Sequence, residues 1–239
     1  MPDSRRHRGA HPDDARLFAP EAVARLRVAA EEVVWLLNRG YPMHAAVAAV
    51  GNHHQLEVRQ RMALSRALCS DAARDDRRRR ALPPDAIAGR RLCIDAFNLI
   101  ITHEVALSGG VVLVGADDAR RDLAGLRGTY RPVAETAPAL AAVAATVRAL
   151  RPREVAFLLD AAVSNSGRLR ALVLAAAEAF GCPTSAELVR DPDPLLRATE
   201  DVVVSSDAGV LDGAARWANL GAWTIAERVP GAHLVAVAP

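Results

Sequence analysis

From Arg91 onward, short apolar runs that end in Asp or Ser alternate with alanine-rich stretches of helical length, and this alternation constrains the fold more than any other feature. RLCID (91–95), VVLV (111–114), EVAFLLD (154–160) and DVVVSSD (201–207) are candidate strands. AELV (186–189), AWTIA (222–226) and HLVAVA (233–238) are further candidates. Between them, Pro138 to Leu150, Gly167 to Phe180 and Ala208 to Leu220 read as helices. Strands that alternate with helices imply an α/β domain with a mainly parallel sheet. In such sheets, ligands sit at the carboxyl ends of the strands.

That rule singles out three acids. Asp95 and Asp160 end their strands and Asp207 follows another, so the three should converge on one edge of the sheet. A lone strand-end carboxylate is explained by capping the next helix, and Asp207 before AGVLDG suits that role. Three together repel unless a positive group lies between them. A hard divalent cation, Mg²⁺ or Mn²⁺, is the natural occupant. Ser164, Asn165, Ser166 and Arg168 follow Asp160 and could hold a phosphate, although a capped helix N-terminus reads the same way.

Before Arg91 the pattern is helical. The stretch from Pro20 to Gly40 has apolar residues at helical spacing, a shorter helix runs from about Met43 to Val50, and a third from about Leu56 to Leu68. Three short helices resemble a helix-turn-helix in outline. The third would carry Arg59, Arg61 and Arg66 as phosphate contacts, with His53 and His54 in the preceding turn. A small bundle with a solvated Arg face fits equally well. Residues 1–90 hold sixteen Arg against eleven acids, and residues 91–239 fourteen against seventeen. The expected organisation is a disordered head over 1–18, a helical domain over 19–75, a basic, Pro-containing linker over 76–90 with Arg77–Arg80 solvated, and an independently folding α/β domain over 91–239.

All thirty basic residues are Arg. With no Lys, the chain can have neither a P-loop lysine nor a Schiff-base lysine. The three Cys are widely spaced without a CxxC, which argues against a disulfide framework or a zinc knuckle. There is no GxGxxG after a strand and no GxSxG. His103-Glu104 begins an HExxH, but Leu107 stands where the second His belongs, so His103 reads as a packed or surface residue. The charged opening residues lack a signal-peptide core, so a cytoplasmic protein without membrane contact is expected.

CIDAFNLI (93–100) resembles the opening of PIN-like and NYN-type nuclease domains, and VVVSSDAGVLD (202–212) resembles their late motif. The resemblance implies a PIN-like three-layer domain that binds Mg²⁺ or Mn²⁺ and hydrolyses phosphodiester bonds, most often in RNA. It implies Asp95 as first metal ligand with Asn98 beside it, Asp160 as central acid, Asp207 as late acid and Asp212 as a further ligand. Ala96 stands where Gly is usual. The family's additional acid is assigned to Glu135, with Glu104 second, whereas Asp117 and Asp118 are expected to be solvated or to pair with Arg120 and Arg121. LNRGYPMHAAVAAVGNHHQLEVRQRMALSRAL (37–68), IDAFNLIITHEVALSGG (94–110), LLDAAVSNSGRL (158–169) and the same VVVSSDAGVLD also resemble an uncharacterised prokaryotic family that joins domain of unknown function 434 to a PIN-like domain. A non-catalytic nucleic-acid-binding protein and a metal-dependent phosphatase remain as alternatives.

Overall fold

A computed structural model describes residues 7–126 and 128–239. Five helices come first: α1 (Asp14–Leu17), α2 (Pro20–Leu37), α3 (Met43–His53), α4 (Val58–Ala67) and α5 (Asp71–Arg80). Then follow β1 (Ala81–Leu82), β2 (Arg91–Asp95), α6 (Ala96–Leu107), β3 (Val111–Val114), β4 (Arg120–Asp122), α7 (Thr136–Leu150) and β5 (Glu154–Asp160). The chain closes with α8 (Ser166–Ala175), β6 (Thr184–Val189), α9 (Pro192–Ala198), β7 (Val202–Val204), α10 (Ala208–Gly213), β8 (Trp217–Ala218), α11 (Leu220–Arg228) and β9 (His233–Ala236). No helix among the described residues is long and apolar enough to cross a membrane.

Six strands form an all-parallel sheet in the order β1-β8-β7-β2-β5-β6. Period-two alternation sends Leu92, Ile94, Phe157, Leu159, Val202 and Val204 into one core with α6, α7, α8 and α11. Cys93, Leu158, Val203 and Trp217 face the opposite way, against Leu196 of α9 and Val210 and Leu211 of α10. Burial on both faces is why these strands read as unbroken apolar runs.

Several expectations are corrected. VVLV is a strand, but it lies in a separate sheet ordered β4-β3-β9. The helix expected over 208–220 stops at Gly213, because Trp217 is buried in β8 and its indole N–H donates to Arg77 O at 2.7 Å. AWTIA is helical, within α11. Its buried Ala222 and Ile225 are three apart, a spacing that a short apolar run shares with a strand. The head from His7 onward is docked: Arg8 pairs with Glu104 at 2.6 Å, and Leu17 and Phe18 are buried. Residues 1–6 lie outside the described residues. The supposed linker is built structure as well. Arg77–Arg80 end α5, which Ser70 caps, and β1 forms an edge of the main sheet. These arginines have nearby acids to meet, namely Asp76, Asp117, Asp118 and Asp212.

The core also crosses the expected domain boundary. Leu26, Ala30, Val33 and Leu64 of the helical region pack with Val111, Leu113, Leu123, Val235 and Val237. Exposing five such side chains costs roughly 1.5–3 kcal/mol each, comparable in sum to a domain's whole stability. A fragment of residues 91–239 is therefore expected to aggregate or to lack a cooperative urea transition. A sharp transition from a soluble monomeric fragment would refute this shared dependence.

Candidate active site

The carboxyl end of β2 runs straight into α6, and Asp95 is the hinge residue. Its Oδ1 accepts from Asn98 N at 3.3 Å, which caps α6, and its Oδ2 accepts from Ser205 Oγ at 2.9 Å. Ser205 Oγ in turn accepts from Asp207 N at 3.1 Å. Asn98 Oδ1 accepts from both Ser206 N and Ser206 Oγ, at 2.8 and 2.9 Å. These bonds tie the β2–α6 junction to the β7–α10 junction. Asp207 Oδ1 caps α10 through Gly209 N and Val210 N, and Asp160 Oδ1 accepts from Ala162 N. Asp95 and Asp207 are thus helix caps by geometry, whereas Asp160 holds the turn after β5, and these bonds engage only one oxygen of Asp160 and of Asp207.

Their charges also act on one another. Burial pushes the Asp95 carboxyl up to about 7, and the Asp193 and Asp207 carboxylates push in the same direction against Ser205 and Asn98. Asp193, in the first turn of α9, is raised by its partial burial, then by Asp207, Asp191 and Asp160. Asp95, Asp160 and Asp207 lie at or just after the carboxyl ends of the neighbouring parallel strands β2, β5 and β7, and the charge of Asp193 from α9 bears on Asp95 as well. Asp193 was not singled out from the sequence. Its signal is the DPDP run after β6, where Asp191 caps α9 and Pro192 opens it.

Among the described residues, no three of these carboxylates bring oxygens within 4.8 Å of one another. Carboxylate oxygens are hard donors of the kind that Mg²⁺ and Mn²⁺ take together with water. The donor chemistry therefore fits Mg²⁺ or Mn²⁺.

A cavity of about 440 Å³ opens beside this edge. Asn98, Ser206 and Asp207 line it, together with Arg66 from α4 and Arg121 and Asp122 from β4. Arg66 donates to Asp122 O at 2.6 Å and is a third exposed, so the helical region delivers a guanidinium to the cleft. Of the three arginines expected to contact phosphate, only Arg66 lines it. Arg59 is spent on Asp14 and Leu123 O, and Arg61 on Gly51 O, Asn52 and Leu56 O.

The remaining candidates lie elsewhere. Glu135 Oε1 is 2.5 Å from His7 Nδ1, and its Oε2 accepts from Arg8 N. Glu104 is fully buried with Arg8, Tyr130 and Thr136. Neither joins the acids: Glu135 is engaged by the head, and Glu104 by Arg8, Tyr130 and Thr136. Asp212 pairs with Arg77 at 2.8 Å. Ser164 and Asn165 line a second cavity of about 650 Å³, whose walls include Arg8, Arg59 and Tyr130 but none of the four acids. Asn165 occupies the N-cap position of α8 in a left-handed conformation, yet its side chain donates to Tyr130 O instead of capping. Ser166 is buried and Arg168 exposed. His103 is buried with Nδ1 2.7 Å from Leu99 O, and burial pushes it down to about 4, so it is a packed residue.

Fold and site together define an α/β chain whose all-parallel sheet carries an acidic carboxyl edge behind a helical region. The chain belongs to the family described as Domain of unknown function (DUF5616), whose model matches residues 84–223. Residues 25–80 match the model of Protein of unknown function (DUF434). The chain is 27% identical over 183 residues to an uncharacterized protein of Methanocaldococcus jannaschii, MJ0935, covering 77% of this chain and 87% of that protein. No solved structure matches.

Proposed function

We propose that this chain is a Mg²⁺- or Mn²⁺-dependent nuclease of PIN-like type that hydrolyses phosphodiester bonds in RNA. The observation that carries the reading is the placement of Asp95, Asp160 and Asp207 at the carboxyl ends of neighbouring parallel strands, with the charge of Asp193 bearing on Asp95, beside a cleft that Arg66 lines. Those four acids would hold the ion, with Asp193 in the place first given to Glu135. When bound, such an ion neutralises phosphate charge and lowers the pKa of water. Arg66 offers a planar guanidinium to non-bridging phosphate oxygens, the geometry that favours Arg over a point charge. Asn98 and Ser206 lock the two strand ends in register, which fixes Asp95 relative to Asp207. The preference for RNA rests on the resemblance of CIDAFNLI and VVVSSDAGVLD to PIN-like and NYN-type domains.

The test is cleavage of labelled single-stranded and structured RNA, with a matching DNA set, in Mn²⁺, Mg²⁺ and EDTA. Cleavage is expected to need the metal and to fall by roughly two to four orders of magnitude in Asp95→Asn and Asp193→Asn, the range expected when charge stabilisation and positioning are both lost. Absence of cleavage by the folded chain, or undiminished cleavage in both variants, would overturn the reading. RNA shifted on a gel but never cut would point to a binding protein, and turnover confined to phosphomonoesters to a phosphatase. Arg66→Ala is expected to weaken RNA binding and to reduce its salt slope by about one. An unchanged slope would remove Arg66 from the binding face.

A further inference from the structure

We propose that Glu32, His53 and His54 form a second, separate metal site on the helical region, one that takes a borderline transition-metal ion of the Zn²⁺ type and pins α2 to the end of α3. Each residue offers one ligand atom, and the three atoms lie within 4.8 Å of one another. His53 is the last residue of α3 and His54 its C-cap, while Glu32 lies on the neighbouring α2. His54 Nε2 is 3.1 Å from Glu32 Oε1. Yet this buried nitrogen has no hydrogen-bond partner among the described residues, because the carboxylate lies beside the in-plane direction of the ring nitrogen rather than along it. An ordinary His–Glu pair would make that bond. An unpartnered ring nitrogen beside a carboxylate, with His53 also offering a ligand atom within 4.8 Å, is a set that one ion could take up. The His53 and His54 rings cross at 88° with centroids 4.9 Å apart, so adjacent residues present separate donors.

The turn that carries the histidines is held from behind. Arg61 donates to Leu56 O, Asn52 Oδ1 and Gly51 O at 2.8, 2.7 and 2.9 Å, which fixes the backbone on both sides of His53 and His54. Ligands on a preformed turn bind with less ordering cost. Two imidazoles and one carboxylate form the donor set of a three-ligand Zn²⁺ site with an open fourth position. It differs in kind from the all-oxygen edge of the sheet, which suits Mg²⁺ or Mn²⁺.

The EDTA-stripped full chain should be titrated with Zn²⁺ against a chromogenic chelator, alongside melting curves. A single Zn²⁺ per chain is expected, with a rise in melting temperature on loading. Glu32→Gln, His53→Asn and His54→Asn should each weaken Zn²⁺ at least about tenfold, since loss of a ligand costs no less than loss of an outer-shell partner. Asp95→Asn and Asp193→Asn should leave Zn²⁺ affinity unchanged, which separates this site from the sheet edge. Wild-type affinity in all three ligand variants, or no Zn²⁺ binding by the folded chain, would overturn the proposal. Glu32 is half exposed, so Glu32→Gln keeps the test decisive even if a His variant loses stability in EDTA.

Discussion

Asp95→Asn is expected to make the metal-free protein more stable above pH 7 while lowering metal-dependent cleavage by roughly two to four orders of magnitude. The Asp95 carboxyl is pushed up to about 7 by burial, from an ordinary value near 4. A raised carboxyl pKa means that the folded state holds a proton that the unfolded state has released. Stability therefore falls as pH rises from about 4 to about 7, and the whole penalty persists above that. At 1.36 kcal/mol per pKa unit, the penalty is on the order of 4 kcal/mol above pH 7. Asn removes it while keeping the shape: its amide oxygen can still accept from Asn98 N, and the Ser205 hydroxyl can rotate to accept from its NH₂. In urea titrations in EDTA, the advantage of Asp95→Asn over wild type should grow by about 2–3 kcal/mol between pH 5 and pH 8. The same substitution should eliminate the rise in melting temperature that Mn²⁺ gives wild type. An advantage that does not change with pH would show that the carboxyl is not strained. A Mn²⁺ response that survives in Asp95→Asn would remove it from the ligand set. Loss of strain together with loss of activity is the pattern of a residue held for function at the expense of stability.

The sheet was legible because its strands are buried on both faces. RLCID and EVAFLLD appear in the structure with the bounds read from the sequence, since a fully apolar run bounded by charge leaves little choice of register. The strand-end acids followed from the rule that parallel strands present their carboxyl ends together. Asp193 was not legible in that way. It sits on a short helix, and its closeness to Asp95 depends on which strands are neighbours, a property of topology and not of local pattern. Glu104 and Glu135 were misplaced for a related reason. Their partners His7 and Arg8 lie about a hundred residues away, in a head whose composition reads as disordered. VVLV shows the same limit: its sequence marks a strand, but β9 at the far end of the chain decides which sheet it joins.

Arg77 is the strongest case of a residue whose local sequence conceals its role, and Arg77→Ala is expected to cost about 3–5 kcal/mol, the price of breaking a buried ion pair. The RRRR run looks like a solvated tail, yet Arg77 is 3% exposed. Its guanidinium donates to Asp117 Oδ2 at 2.7 Å and to Asp212 Oδ1 at 2.8 Å. Asp117 is also buried and holds Arg121 at 2.6 and 2.7 Å. Removing Arg77 leaves that carboxylate with one guanidinium instead of two. Asp212→Ala should cost under about 1 kcal/mol by contrast, because the Asp212 side chain is more than half exposed. The pair of guanidiniums holds Asp117 down at about 2. A lowered carboxyl pKa contributes stability above about pH 4 that is lost as the pH falls through 2. In Arg77→Ala that acid loss should begin at higher pH, which circular dichroism during acid titration would show. Urea titration at pH 7 giving a cost within 1 kcal/mol of zero would contradict the buried-pair argument. The effect should also reach the cleft. Arg121 Nε donates to Ser206 O at 2.7 Å, and Ser206 is bonded to Asn98, so the ion-pair network and the acidic edge are mechanically continuous. Cleavage by the folded fraction of Arg77→Ala should therefore fall even where Mn²⁺ is saturating, while Asp212→Ala, which leaves Arg77 and Arg121 on Asp117, should cut RNA at the wild-type rate.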